Sequence, residues 1–384
     1  METAVTPSSR LPDVGVTIFT VMSRLAAEHG AINLSQGFPD FDCGPELVAL
    51  VCDWLGRGQN QYAPMAGVPA LRQALSRTIE RQYGARYDPD TELTVTAGAT
   101  EALFSTITAL VHPGDEVLVF EPFYDSYVPA VQLAGGVPVF VTLRYPDYAI
   151  DWDAVRRAFT SRTRLVLLNS PHNPTGTVLD EADVRELTSL VDGTKAVVVG
   201  DEVYEHLVFD GRRHESLARH PVLAARSAVI SSFGKSFHTT GWKVGYVAAP
   251  AAISAEIQRV HQFVTFAVNT PIQHAYAEFL DRGVDFSEVA RFYEAKRDRF
   301  LALLEGSRFR PLPCRGTYFQ ILDYSAIGRE GDRDMAMRIL RRHGVASIPT
   351  SAFLSASQAP PVLRFCFAKR DDTLERAAER LRQV

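Results

Sequence analysis

Cysteine is scarce. Four occur in 384 residues, Cys43, Cys52, Cys314 and Cys366, and no two form a CxxC pair. Free thiols in a reducing cytoplasm are therefore the expectation. Long apolar runs are also missing. The longest aliphatic stretches, such as LVLL and AVVV, fall far short of the ~20 residues that cross a bilayer, so no membrane partner is expected. There is no excess of positive charge. Lys plus Arg is 40 against 45 for Asp plus Glu, a formal charge of −5. A pI near 6.1 lacks the basic balance that general nucleic-acid binding needs. The opening METAVTPSSRLPDV has no basic start leading into an apolar run, so no signal peptide is expected. Repeats, low-complexity tracts and Gly/Ser linkers are absent too.

What is present is an ordinary globular balance, 46% apolar and 22% charged, which excludes wholesale disorder. A chain of 384 residues suggests two or three domains at ~100–200 residues each. An irregular arm surrounds one short helical stretch, FTVMSRLAAEHG. From there to about residue 250, β-rich runs alternate with helical patterns such as EALFSTITALV and EADVRELTSLV. The strand candidates are LTVTAG, EVLVF, VPVFVTL, RLVLLN, AVVVG, AVISS and VGYVAA. Most are continuous apolar runs, as strands covered on both faces should be. The alternation predicts an α/β fold around a mostly parallel sheet. A long charged helix, FSEVARFYEAKRDRFLALLEG, then opens a smaller α+β unit. The expected division is an N-terminal arm over residues 1–45 that packs with the small domain, a large domain over 46–280, and a small domain over 281–384.

Ligands bind open parallel sheets outside the carboxyl ends of the strands. After LTVT come Gly98, Ala99 and Thr100; after EVLVF, Glu121-Pro122-Phe123-Tyr124; after RLVLLN, Ser170-Pro171-His172-Asn173-Pro174-Thr175-Gly176. After AVVVG come Asp201-Glu202-Val203-Tyr204, and after AVISS come Phe233-Gly234-Lys235-Ser236. An aromatic, an asparagine, an aspartate, a tyrosine and a lysine thus collect at one sheet edge. The Gly98 turn suits an anion, because helix N-terminal N–H groups bind anions and glycine lets a phosphate approach; taken alone it reads first as a common strand-to-helix turn. Asp201 needs a cationic partner, whether a ligand or a structural arginine. Lys235 follows a buried strand, where desolvation would lower its pKa and free the amine for Schiff-base or proton-transfer chemistry. Gly234-Lys235-Ser236 imitates the end of a P-loop, but Val229 stands where the first glycine of that motif belongs. Arg364, inside the apolar VLRFCF, calls for a planar anion, either a substrate carboxylate or a structural partner. His172, His206 and His238 have no metal-ligand spacing, so no metal is expected. No GxSxG or GxGxxG occurs, and the hydrolase and dinucleotide readings lack support.

From Leu34 onward the chain resembles the fold-type I aminotransferases that use pyridoxal 5′-phosphate. The carrying motifs are LSQGFPDF, NQYAP, TAGATEAL, PHNPTG, DEVYEHL, SFGKSFHTTGWKVGY and LRFCFAK, in that order. They are most similar to the methionine and kynurenine aminotransferase branch. The resemblance implies a seven-stranded, mostly parallel sheet covered by helices, a smaller α+β domain, and a homodimer with shared active sites. It implies that Lys235 holds the cofactor as a Schiff base and serves as base and acid, that Asp201 pairs with the ring nitrogen, and that Tyr204 and Asn173 bond the ring's 3-oxygen. Tyr124 would stack on the ring. Ala99, Thr100, Ser232 and Lys243 would surround the phosphate, with Tyr62 reaching it from the partner subunit. Arg364 would clamp the substrate carboxylate, helped by Asn173 and the Gly37 backbone.

The substrates so implied are an amino acid and a 2-oxo acid. No second arginine stands in His261-Gln262-Phe263-Val264-Thr265-Phe266, where one would meet an acidic side chain. Phe38, Phe266 and Phe353 are the expected pocket walls, suited to sulfur-containing or aromatic side chains, although each reads equally as a core phenylalanine. The rival enzyme is a cysteine-conjugate carbon–sulfur β-lyase, which starts from the same carbanion but releases pyruvate and ammonia without an acceptor. A transcription regulator would need a DNA-binding module, and the arm offers only ~30 residues.

Overall fold

The structure is a computed structural model and describes residues 8–356 and 359–384. The first seven residues of the arm lie outside it. The large sheet has seven strands: β1 (Leu93–Thr96), β2 (Glu116–Glu121), β3 (Val137–Thr142), β4 (Thr163–Asn169), β5 (Val197–Asp201), β6 (Ser227–Ser232) and β7 (Gly245–Ala248). They lie in the order β1-β7-β6-β5-β4-β2-β3. Pairings among β3, β2, β4, β5 and β6 are parallel, and β7 runs antiparallel to both β6 and β1. All seven apolar runs are strands. Side chains alternate across the sheet, so both faces need cover. Val117, Val119, Leu165, Leu167, Val199, Ala228 and Ile230 pack on one face with Leu103 and Ile107 of the Gly98–Leu110 helix and Ile257 of the Ala251–Val264 helix. Leu118, Phe120, Val166, Leu168, Val198 and Val229 pack on the other with Leu71, Leu75, Leu187 and Tyr276. The departure is the edge strand β3, which is only partly covered, with Val137 48% exposed.

A second core belongs to the C-terminal part. Its sheet runs β10 (Ile348–Pro349), β11 (Val362–Cys366), β9 (Phe319–Asp323), β8 (Arg310–Pro311), all antiparallel. The helices Phe286–Leu303, Asp332–His343 and Asp371–Leu381 contribute Phe300, Ile339 and Leu374 to that core. Met22 and Ala26 of the Ile18–Glu28 helix join it, and Ile32 and Asn33 pair in parallel with Val345 and Ala346. Val203, Tyr204, Leu207 and Phe209, which follow β5, also belong to it. The chain after β5 therefore joins the two cores, and the site opens where they meet.

Candidate active site

A cavity of about 280 Å³ lies at the carboxyl ends of β1, β4, β5 and β6, roofed by the second core. Of the residues expected at the site, it is lined by Gly37, Ala99, Thr100, Tyr124, Asn173, Asp201, Tyr204, Ser232, Lys235, Lys243 and Arg364.

The corner expected to hold an anion is built from backbone. The Gly98–Leu110 helix begins without a side-chain cap, and Gly98 has φ +76°. A side chain at Gly98 would sit 3.2 Å from Lys243 Nζ; one at Gly245 would meet Ala99 N at 2.9 Å and Ser231 O at 2.7 Å. Only glycine lets β7 press this closely on the turn, so Lys243 and Ser232 stand beside the helix's uncapped N–H groups.

Lys235 follows β6 in a four-residue helical turn, Phe233–Ser236. Its Nζ reaches the Gly37 carbonyl at 3.5 Å and lies 5.7 Å from the rings of both Tyr204 and Tyr318. Burial lowers its pKa from 10.5 to about 8, a shift that Lys243 assists and that Cys366 and Asp201 partly offset. Asp201, which ends β5, is 4% exposed. Desolvation raises its carboxyl to about 6, although the Tyr127 hydroxyl donates to its Oδ2 at 2.5 Å and Val203 N approaches its Oδ1 at 3.4 Å. A buried carboxylate without an ion pair marks a place built for a cation. Asn169 amide Nδ2 donates to the Asp201 carbonyl at 2.8 Å, and its Oδ1 accepts from Asn173 N at 2.7 Å, which fixes two strand ends together.

Arg364, on β11, is 1% exposed. Nη1 donates to Asn173 Oδ1 at 2.9 Å and Nη2 to the Ser35 carbonyl at 2.8 Å, while Nε has no partner. Its Cζ lies 3.9 Å from the Phe319 ring centre, 5.1 Å from Phe19 and 5.5 Å from Phe353. Burial lowers its pKa to about 10. A guanidinium boxed by three rings keeps one orientation, with donor capacity left for a carboxylate.

Four expected residues do not line this cavity. Phe353 packs behind Arg364 and is buried. Phe38 is half-exposed beneath Lys369 Nζ, 5.0 Å from its ring centre. Tyr62, 82% exposed, and Phe266, 54% exposed, meet edge to face at 5.1 Å on the outer surface. Conversely, Phe19, Gln36, Asn169, Val203, Thr240 and Phe319 line the cavity and were not singled out from sequence. Asn169 had a signal, a polar residue closing an apolar strand; Phe19 and Phe319 had none, because folding alone carries them in. No cluster of His, Cys, Asp or Glu among the described residues could hold a metal ion, and no described helix is long and apolar enough to cross a membrane.

The large sheet presents a desolvated lysine, a buried carboxylate and an uncapped helix start at one edge, and the smaller sheet brings a buried arginine over them, an arrangement that suits an enzyme handling amino groups. A family model described as "Aminotransferase class I and II" matches residues 29–381, and the chain belongs to that family. It is 49% identical to the methionine aminotransferase of Escherichia coli (strain K12) over 379 residues, 98% of each chain. It is 35% identical to a kynurenine–oxoglutarate transaminase of Dictyostelium discoideum, covering 98% of this chain and 95% of that one. The solved structure of Escherichia coli YbdL, reported with a methionine aminotransferase function, superposes with a TM-score of 0.97 at 49% identity, covering 99% of this chain and 100% of that one.

Proposed function

We propose that this aminotransferase uses pyridoxal 5′-phosphate and takes its amino group from a neutral sulfur-containing or aromatic amino acid. The observation that carries the reading is the convergence of Lys235, Asp201, Arg364 and the Gly98 turn on one cavity. The donor set fits the cofactor. The Gly98 turn, Ser232 and Lys243 would hold its phosphate, Asp201 its ring nitrogen, Tyr204 and Asn173 its 3-oxygen, Tyr124 its ring face and Lys235 its aldehyde carbon. When bound, the group supplies a carbonyl that exchanges amines and a ring that accepts charge released at the substrate Cα. Asp201, anionic beside a cation, would favour a protonated ring nitrogen. Lys235 would serve as the base that takes the substrate's Cα proton and as the acid that returns it. Arg364 orients the donor through its α-carboxylate.

Among the described residues that line the cavity, Arg364 is the one arginine. Phe19, Leu103, Val203 and Phe319 supply apolar wall, which suits a thioether or an aromatic ring. We further propose the division at residues 45 and 280, a cytoplasmic setting, and a homodimer in which Tyr62 and Phe266 reach the partner's site. The test is a half-reaction screen of all amino acids against the loaded enzyme, followed by absorbance. Methionine, phenylalanine and kynurenine should convert, and aspartate should be poor. Aspartate as the best donor would refute the pocket assignment.

A further inference from the structure

Behind the cavity lies a buried polar cluster that the chemistry above does not use. Along Asp201-Glu202-Val203-Tyr204-Glu205-His206, Asp201, Val203 and Tyr204 line the cavity, whereas Glu202 and Glu205 bond away from it. Glu202 accepts from Leu217 N at 2.9 Å and pairs with His214 at 2.8 Å, so its contacts stay within its own loop. Glu205 is different. It is 6% exposed, and three hydroxyls from three separate elements donate to its carboxylate. They are Tyr83, ending the Pro69–Tyr83 helix, Ser231 of β6, and Tyr246 of β7 at 3.1 Å.

The two strand donors are not arbitrary. Ser231 and Tyr246 are directly paired across β6 and β7, and so are their neighbours Ser232 and Gly245. Side chains alternate along a strand, so a pair bonded to Glu205 on one face puts the next pair on the other. That next pair is functional: Ser232 lines the cavity, and Gly245 is pressed against the phosphate turn. Ser232 also leads directly into the turn that carries Lys235. Glu205 itself follows Tyr204. One carboxylate therefore spans the backs of the segments that hold Asp201 and Tyr204, Ser232 and Lys235, and Gly245 with Lys243.

Burying the Glu205 carboxylate is costly, more so than an apolar side chain of the same size would be. Burial opposes ionisation of Glu205, yet the carboxyl lies below its usual range, with the Ser231 and Tyr83 hydroxyls among the groups that favour the anion. His206 itself is pushed down to about 4 by burial, hence neutral near pH 7, and stands 3.8 Å away. The anion is thus held mainly by hydroxyl donors. An apolar side chain would fill the space without desolvating a charge; a carboxylate fixes the angular positions of three donors at once.

We propose that Glu205 is a positioning residue for transamination: it sets the spacing between the Asp201–Tyr204 segment and the Ser232–Lys235 segment from behind the cavity. This rests on the aminotransferase reading above. The test compares the full-length parent with Glu205→Gln, which keeps the shape and removes the charge. Affinity of the cofactor-free protein for pyridoxal 5′-phosphate, read by fluorescence quenching, should weaken about tenfold. In the loaded enzyme kcat for methionine should fall about tenfold, while KM stays within twofold because Arg364 and its ring box lie on other elements. Tyr246→Phe, which removes one donor, should move both readouts about threefold in the same direction, and its effect should shrink in the Glu205→Gln background. If Glu205→Gln fails to fold, the Tyr246→Phe result decides alone. Unchanged cofactor affinity and kcat in a folded variant, a loss confined to KM, or fully additive losses would overturn the proposal. A parent that binds the cofactor but transaminates nothing would refute the functional reading instead, and leave the affinity comparison standing.

Discussion

Replacing Arg364 with lysine keeps a positive charge and removes a fork. The guanidinium now holds Asn173 Oδ1 at 2.9 Å with one terminal nitrogen and the Ser35 carbonyl at 2.8 Å with the other, and lies 3.9 Å from the centre of the Phe319 ring. Hydrogen bonds to charged groups contribute ~1.5–3 kcal/mol each, and a cation over a ring ~0.5–2 kcal/mol. An ammonium recovers part of this with its three donors, but it cannot hold Asn173, Ser35 and a bidentate carboxylate in one plane. A net loss of ~1.4–2.8 kcal/mol, 10- to 100-fold in kcat/KM, is expected. It should be similar for methionine and phenylalanine, which share the α-carboxylate. A second signature follows from burial, which brings the arginine from 12.5 to about 10. The same burial acts on a lysine, which ordinarily titrates below an arginine. The variant's cation is then lost at lower pH than the parent's. The ratio of variant to parent kcat/KM should therefore fall from pH 7 to pH 9 in half-reactions with methionine. Unchanged kinetics, or a ratio that rises with pH, would refute the clamp.

Borohydride should fix the cofactor to Lys235 in the parent, and Lys235→Ala should abolish that fixation; a reduced adduct mapped to a different lysine in the parent would contradict the assignment. In the cofactor-free protein, burial places the Lys235 amine at about 8, so its reductive methylation should rise with a midpoint near pH 8, and a midpoint near 10.5 would be the contrary result. Asp201 carries a folded-state pKa raised to about 6, so the stability it contributes in protonated form is lost as pH rises through 6. Asp201→Asn should then stabilise the cofactor-free protein at pH 7 by roughly 2–3 kcal/mol while nearly abolishing turnover, and a variant less stable than the parent at pH 7 but not at pH 4 would reverse that logic. Tyr62 and Phe266 together form an exposed aromatic pair, and sedimentation at assay concentration should show a dimer; a fully active monomer would oppose the shared-site proposal.

Much of this protein is written in local patterns. The VLVF of EVLVF and the LVLL of RLVLLN are unbroken apolar runs too short for a helix, as a strand covered on both faces should be, so the sheet and its helical layers follow. Gly98, Asp201, Lys235 and Arg364 each break such a pattern with a residue that apolar packing does not need, and all four line the cavity. Order along the chain also located the site, because parallel strands deliver their carboxyl ends to one edge. The family resemblance assigned those residues a common purpose that spacing alone left open.

Other features depend on distance in sequence becoming nearness in space. Tyr127 lies 74 residues from Asp201 and yet supplies its buried donor. Phe19 and Phe319 close on Arg364 from opposite ends of the chain, and Phe353, expected as a pocket wall, is instead packed behind it. Glu205 reads as one more acidic residue in DEVYEHL until the fold turns it away from the cavity and onto three hydroxyls. The physical reason is the same in each case. A strand's hydrophobicity is satisfied by any apolar cover, so sequence determines it locally; a buried charge is satisfied only by particular donors at particular distances, and only the packed tertiary structure decides which groups those are.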